Sequence, residues 1–129
     1  MVLRHRLGFK VCHELGKIKA MIKLSSESEK LKFKAEVFKA MGHPLRLGII
    51  EFLRHDEKCV CEIVDYMGTG MSNISKHLSI LKKAGILEDR RDGLKMMYRL
   101  IMPCAIEFSS CVEQIVLKRL DKHRSIMVA

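Results

Sequence analysis

Two groups of residues in this 129-residue chain have the types and spacing to do chemistry. Cys59-Val60-Cys61 sets two thiols two positions apart. On a helix that spacing sends the side chains to opposite sides, whereas in an extended segment both point the same way. The segment is short and β-prone and stands just before a helix, so the pair can chelate. Soft thiolates favour arsenite, antimonite, Cd, Pb, Zn or Cu(I); the plainer alternative is two small buried hydrophobes. The second group is Ser72, Asn73, Lys76, Ser79 and Lys83. At helical spacing these share one side, opposite Met71, Ile74, Leu78 and Leu81. The side is acid-free, whereas an ordinary solvated face mixes both signs. Ser and Asn can reach base edges, and Lys can reach a phosphate or a guanine. Ser75 and His77 lie on the same helix and join the candidate set, although His77, like His43, also suits a structural role.

The elements that must position these groups follow from caps, periodicity and turn residues. Ser26 and Glu29 read as a capping box opening a helix that runs to Met41, with an apolar stripe of Leu31, Val37, Phe38 and Met41. Gly42 is placed for a left-handed C-cap, and Pro44 suits the first turn of the next helix, Leu45 to Arg54, which turns Leu45, Ile49, Phe52 and Leu53 inward. A polar turn leads to Cys59-Val60-Cys61 and a brief helix, Glu62 to Met67. Gly68-Thr69-Gly70 turns the chain into a strong helix, Met71 to Ala84, closed by Gly85. Two strands follow, Ile86–Arg90 and Lys95–Ile101, with Asp92-Gly93 as the hairpin dipeptide. After Pro103 a last helix runs to His123, its stripe of Ile106, Phe108, Val112, Ile115, Val116 and Leu120 wider than one small domain needs. Short helix, glycine turn, longer helix and hairpin, in that order, make a winged helix-turn-helix: mainly α with a small β-hairpin wing. Arg90, Arg91 and Lys95 flank the wing tip, where they can grip the DNA backbone.

Composition narrows the function classes. A net charge of +9 points to a polyanionic partner, nucleic acid first. The length fits one domain, residues 25–123, preceded by a basic extension over 1–24 and followed by a tail over 124–129. Met21 offers an alternative start of translation. Through Lys34 there are nine Lys/Arg against three Glu. No apolar run approaches the ~20 residues of a membrane span, and no signal-peptide core follows the N-terminus. Five cysteines, an odd number without a secretion signal, predict reduced thiols in the cytoplasm rather than a disulfide framework. No nucleophile–base pair, phosphate loop or metal motif with a general base is present, so an enzyme is not expected.

The stretch Phe38 to Leu100 resembles the ArsR/SmtB family of bacterial metal-responsive repressors. The resemblance rests on Ala40-Met41-Gly42-His43-Pro44-Leu45-Arg46-Leu47, on Cys59-Val60-Cys61-Glu62, on the run Ile74-Ser75-Lys76-His77-Leu78 through Leu87, and on Arg91-Asp92-Gly93 with Tyr98. One departure is Gly70, where the family usually places Ser; Thr69 is the substitute cap. The resemblance implies a homodimer joined by its first and last helices, and repression of operator DNA relieved by an inducer. Its arsenic-sensing branch commonly adds a third Cys where this chain has Val64. The two-thiol set of Cys59 and Cys61 is then completed from elsewhere. Cys12 is one candidate, because the cadmium- and lead-sensing branch pairs this motif with N-terminal cysteines. Cys104, at the start of the last helix, is another; Cys111 is weaker. The expected inducers are As(III)/Sb(III), or Cd, Pb or Zn. The family's zinc site on the last helix is absent, since residues 103–120 contain no His or Asp. The closest alternative is a repressor of the same fold that senses redox or reactive sulfur by cysteine oxidation.

Overall fold

A computed structural model describes residues 27–128; the basic extension over 1–24, the Ser26 cap and Cys12 lie outside the described residues. The first helix, α1 (Glu27–Met41), begins with Glu27 and Glu29, which suit the positive end of the helix dipole. Only its last turn is anchored: Ala40 and Met41 are buried, whereas Leu31 and Phe38 of the expected stripe are 62% and 55% exposed. The left-handed cap expected at Gly42 is not formed, since positive φ occurs at Gly68, Gly85 and Gly93. The end of α1 is closed instead by Arg46, whose Nη2 donates to the Lys39 carbonyl at 3.2 Å and whose Nε donates to the Ala40 carbonyl.

Helix α2 (Pro44–Phe52) starts with proline at its first turn, as anticipated. His43 caps it, Nδ1 accepting from the Leu45 N–H at 3.1 Å. Strand β1 (Lys58–Cys59) leads directly into α3 (Val60–Met67), which opens two residues before the expected Glu62. Helix α4 (Met71–Lys83) precedes strands β2 (Leu87–Asp92) and β3 (Lys95–Leu100). The hairpin register pairs Asp92 with Lys95, so the two-residue loop is Gly93-Leu94 rather than Asp92-Gly93. Gly93, at the first central position with φ of 61°, supplies the positive φ that a II′ turn needs there. The wing gains a third strand: β1 pairs antiparallel with β3, Cys59 opposite Met97, giving the order β1-β3-β2.

Helix α5 (Cys104–Val128) continues through most of the residues read as a tail. Ala105 roots it in the core, and Phe108 meets Phe38 of α1 edge-on at 5.4 Å. Beyond that, Val112, Ile115, Val116 and Leu120 lie exposed. No helix among the described residues is long and apolar enough to cross a membrane.

The core is aliphatic. Ile49, Ile50, Leu53, Ile63, Ile74, Leu78, Leu81, Ile86 and Leu87 are fully buried and draw on α2, α3, α4 and the wing. Phe52, expected inside, is half-buried and stacks on Tyr66 with ring centroids 4.0 Å apart. Met71, expected on the packed side of α4, is 47% exposed because the first turn of that helix overhangs the core. Gly48 permits close packing of α2 on α3: a methyl group there would stand 3.3 Å from the Met67 thioether. Truncating Ile63 to Ala should lower stability by ~2–5 kcal/mol. Leu94→Ala, at the fully exposed wing tip, should stay within about 0.5 kcal/mol of the parent. Urea denaturation of both variants checks this, and equal losses would contradict the packing described.

Candidate nucleic-acid interface

The reading unit is α3, a three-residue turn and α4. Gly68 ends α3 in the left-handed conformation, φ 63°, with its N–H bonded to the Val64 carbonyl at 3.0 Å. Gly70 is the N-cap of α4 and provides no side-chain cap; Asn73 N–H and Ile74 N–H both donate to its carbonyl at 3.1 Å. Thr69 does not cap the helix as expected. Its Oγ1 accepts from Asn73 Nδ2 at 3.1 Å, which orients the Asn73 amide at the mouth of the helix. Sequence reasoning missed this partnership, although the i, i+4 spacing of a hydroxyl and an amide was available.

Along α4, Ser72, Asn73, Ser75, Lys76, Ser79 and Lys83 are all exposed, and Ile74, Leu78 and Leu81 form the buried side. Lys76 and Lys83 stand in no ion pair among the described residues. Lys82, by contrast, binds Asp89 of the wing at 2.7 Å, which raises its pKa and fixes the wing to the helix. His77 departs from the rest of the set. It is half-buried, its ring lies 4.5 Å from that of His43, and its Nδ1 faces Arg46 Nη1 at 3.2 Å. Because the guanidinium only donates, that Nδ1 is the acceptor and the ring is neutral. Burial first, then the charges of His43, Arg46 and Lys76, hold the His77 pKa below the usual histidine value. His77 therefore positions the helix rather than lining its open side.

The wing cations divide in the same way. Arg90 is engaged with Glu57 through Nε at 2.9 Å and through Nη2, with Asp92 a further 3.7 Å neighbour. This interaction raises the Arg90 pKa and lowers that of Glu57. Arg91 and Lys95 are exposed beside the tip and stand in no ion pair among the described residues. The outward cations are thus Lys76, Lys83, Arg91 and Lys95, next to the hydrogen-bonding set of Ser72, Asn73, Ser75 and Ser79.

The thiols sit at the foot of the same unit. Cys59 is extended, the last residue of β1, and is at the same time the N-cap of α3, with φ −73° and ψ 154°. Its Sγ accepts from the Glu62 N–H at 3.4 Å while Glu62 Oε2 accepts from the Cys59 N–H at 2.7 Å, a capping box with sulfur in the hydroxyl's place. One extended residue followed by the first turn of a helix brings the Cys61 sulfur beside that of Cys59, with Cα atoms 5.3 Å apart, inside the disulfide range. The two are joined in a disulfide, against the expectation of reduced thiols at this pair. Cys59 is buried and Cys61 exposed. Cys104 lies half-buried at the start of α5 and Cys111 is exposed farther along. The described residues contain no cluster of three or more His, Cys, Asp or Glu able to hold a metal, so Cys104 is not brought to the pair.

Two consequences can be measured. Asn73→Ala and Lys76→Ala should each weaken DNA binding with little change in fold. The Lys76 change should act on all sequences alike and flatten the salt dependence by about one unit. The Asn73 change should relax preference at one base, by ~1–3 kcal/mol. Fluorescence anisotropy across a salt series and a set of point-altered sites separates the two. For His77, a lowered folded pKa means that the neutral ring favours the fold. Its contribution is complete above the ordinary histidine value and is lost as pH falls through the lower folded value. His77→Asn, which keeps an acceptor for Arg46, should therefore lose less stability than the parent between pH 7.5 and 5.5, read by urea midpoints.

The comparisons with known proteins agree with this geometry. Residues 43–89 match the model of the bacterial regulatory protein, arsR family. An uncharacterized HTH-type transcriptional regulator of Methanocaldococcus jannaschii is 39% identical over 88 residues, which cover 67% of this chain and 99% of that protein. The homodimeric winged helix-turn-helix DNA-binding domain of a Mycobacterium bovis protein, solved by NMR, superimposes with a TM-score of 0.66 at 27% identity, covering 79% of this chain and 96% of that one. The arsenical resistance operon repressor of Escherichia coli is 36% identical over 66 residues, 50% of this chain and 56% of that protein. With an acid-free reading helix held beside a basic wing, and a near full-length relative, this chain belongs to the arsR family of DNA-binding transcriptional regulators, a family of regulators and not of enzymes.

Proposed function

We propose that this regulator is a cytoplasmic homodimeric repressor that binds a thiophilic metal or metalloid ion through Cys59 and Cys61 and then releases operator DNA. The observation that carries the proposal is the adjacency of the two sulfurs at the N-cap of α3, the first helix of the reading unit. When reduced, the pair offers two soft donors side by side at the start of α3. An ion drawn to the Cys59 sulfur competes with the Glu62 N–H for it, so binding acts on the start of α3 and on its angle to α4. A hundredfold loss of DNA affinity needs only ~2.7 kcal/mol of coupling. The named arsenical-resistance relative supports As(III) as inducer, and Sb(III), Cd, Pb and Zn share the donor preference. In this reading Cys12, outside the described residues, completes the coordination; Cys104, which is not brought to the pair in this structure, would do so only after a rearrangement or from the second copy. Dimerisation is supported by the exposed apolar residues of α5 and by the homodimeric M. bovis relative.

The disulfide favours one second reading, in which oxidation of the same two thiols is itself the signal. DNA binding titrated with As(III), Sb(III), Cd, Pb and Zn, under reducing conditions and again after oxidation, separates the two. We expect a reduced protein that releases DNA with a thiophilic ion and shows sulfur-to-metal charge-transfer absorption. Cys59→Ser and Cys61→Ser should lose both responses. Parent-like responses in both variants would place the sensor elsewhere, and release on oxidation alone would favour the second reading.

A further inference from the structure

A cleft of about 620 Å³ lies between α1, the C-terminal end of α4 and the residues leading into α5. Its volume falls within the roughly 300–1,000 Å³ of small-molecule sites. Phe33, Val37 and Ala40 form one wall, and Ile80 and Met102 face them. Two of these side chains are conspicuous for their exposure: Phe33 is 49% accessible and Ile80 40%, the latter on a helix whose outer side is otherwise mostly polar. The lining also includes Lys39, Arg46 and Lys83 against a single acid, Glu36. Neither lysine stands in an ion pair among the described residues. Arg46 spends three N–H groups on Lys39, Ala40 and His77 and has further donors left.

A mostly apolar lining with a net positive charge suits an apolar body carrying one negative group. We propose that this cleft is a binding site for an organic monocarboxylate with an apolar tail, separate from the Cys59–Cys61 pair. The apolar part covers Phe33, Val37 and Ile80, and the carboxylate lies among Lys39, Lys83 and Arg46. The chain's own N-terminal segment is a poor occupant on charge, since residues 1–26 carry six Lys/Arg and one Glu. Because Ile80 and Lys83 belong to the reading helix, the site adjoins the element that meets DNA.

The test uses the full chain with decanoate as probe, 1-decanol and decyltrimethylammonium as uncharged and cationic controls, and methyl-labelled Ile, Val and Met followed by NMR. Saturable shifts at Val37, Ile80 and Met102 are expected with decanoate, with weaker binding of decanol and weaker still of the cation. Lys39→Gln should weaken decanoate by about three- to fivefold, the size of one exposed ion pair, and leave decanol unchanged. Val37→Trp should fill the cleft and abolish binding. Ile80→Glu, a surface change that spares the core, should do the same if the tryptophan variant misfolds. Equal binding of all three probes, shifts confined to Val112, Ile115 and Val116, or parent-like affinity in Ile80→Glu would each overturn the proposal. So would NOEs that seat a second copy or residues 1–26 against Val37 and Ile80 in the ligand-free protein.

Discussion

The arrangement of the reading unit depends on one side chain, Arg46. From the first turn of α2 its guanidinium donates to two carbonyls at the end of α1 and to the ring of His77 on α4. It thereby satisfies acceptors that a helix C-terminus leaves without intrahelical partners, and it fixes three helices relative to one another at a single point. A planar donor with a rigid fork suits this task; a lysine could meet one of these partners but not three at fixed angles. The tautomer of His77 follows from the same contact, and with it the cost of charging that ring.

A second constraint acts from the other side. The wing is held to α4 by Lys82 and Asp89, and to the loop before β1 by Arg90 and Glu57. These pairs lie near the surface, so each contributes modestly to stability. Their effect is on charge distribution, because they remove two cations from the set free to meet a polyanion. What remains outward on helix and wing is smaller than the sequence count suggests but better defined. Salt dependence of DNA binding should reflect that smaller set.

Much of this was legible in the sequence because periodicity and turn chemistry agreed. Ile74, Leu78 and Leu81 at helical spacing marked the buried side of α4, and the glycines at 68 and 85 fell where positive φ was needed. The misreadings have physical causes. At Gly42 a C-cap glycine was expected from local pattern, but a tertiary donor, Arg46, closed the helix instead. Met71 fits the apolar period, yet a first helical turn can overhang its core. Leu31 and Phe38 keep the period yet stay exposed among the described residues, Phe38 meeting only the edge of Phe108. The hairpin slipped by one residue because Gly93 alone supplies the positive φ, which shifts Asp92 into the ladder. At the site, outward serines and lysines were readable from their helical face. The engagement of Arg90 with Glu57, 33 residues earlier, and of His77 with Arg46 could not be read, because such pairings depend on the tertiary fold.

The sulfur cap of α3 has a consequence for how such a protein changes over generations. Position 59 serves two purposes through one atom, whereas Cys61 caps nothing. Replacement of Cys59 by serine discards the thiol but supplies a better N-cap, and replacement by alanine removes both the thiol and the cap. If the pair is the sensor proposed above, drift toward serine would extinguish sensing while leaving the DNA-reading fold intact, and drift toward alanine would weaken the fold as well. On that reading, descendants of this sequence that no longer respond to an inducer but still bind DNA should be recognisable by a hydroxyl at the first position of the pair and by almost any residue at the second.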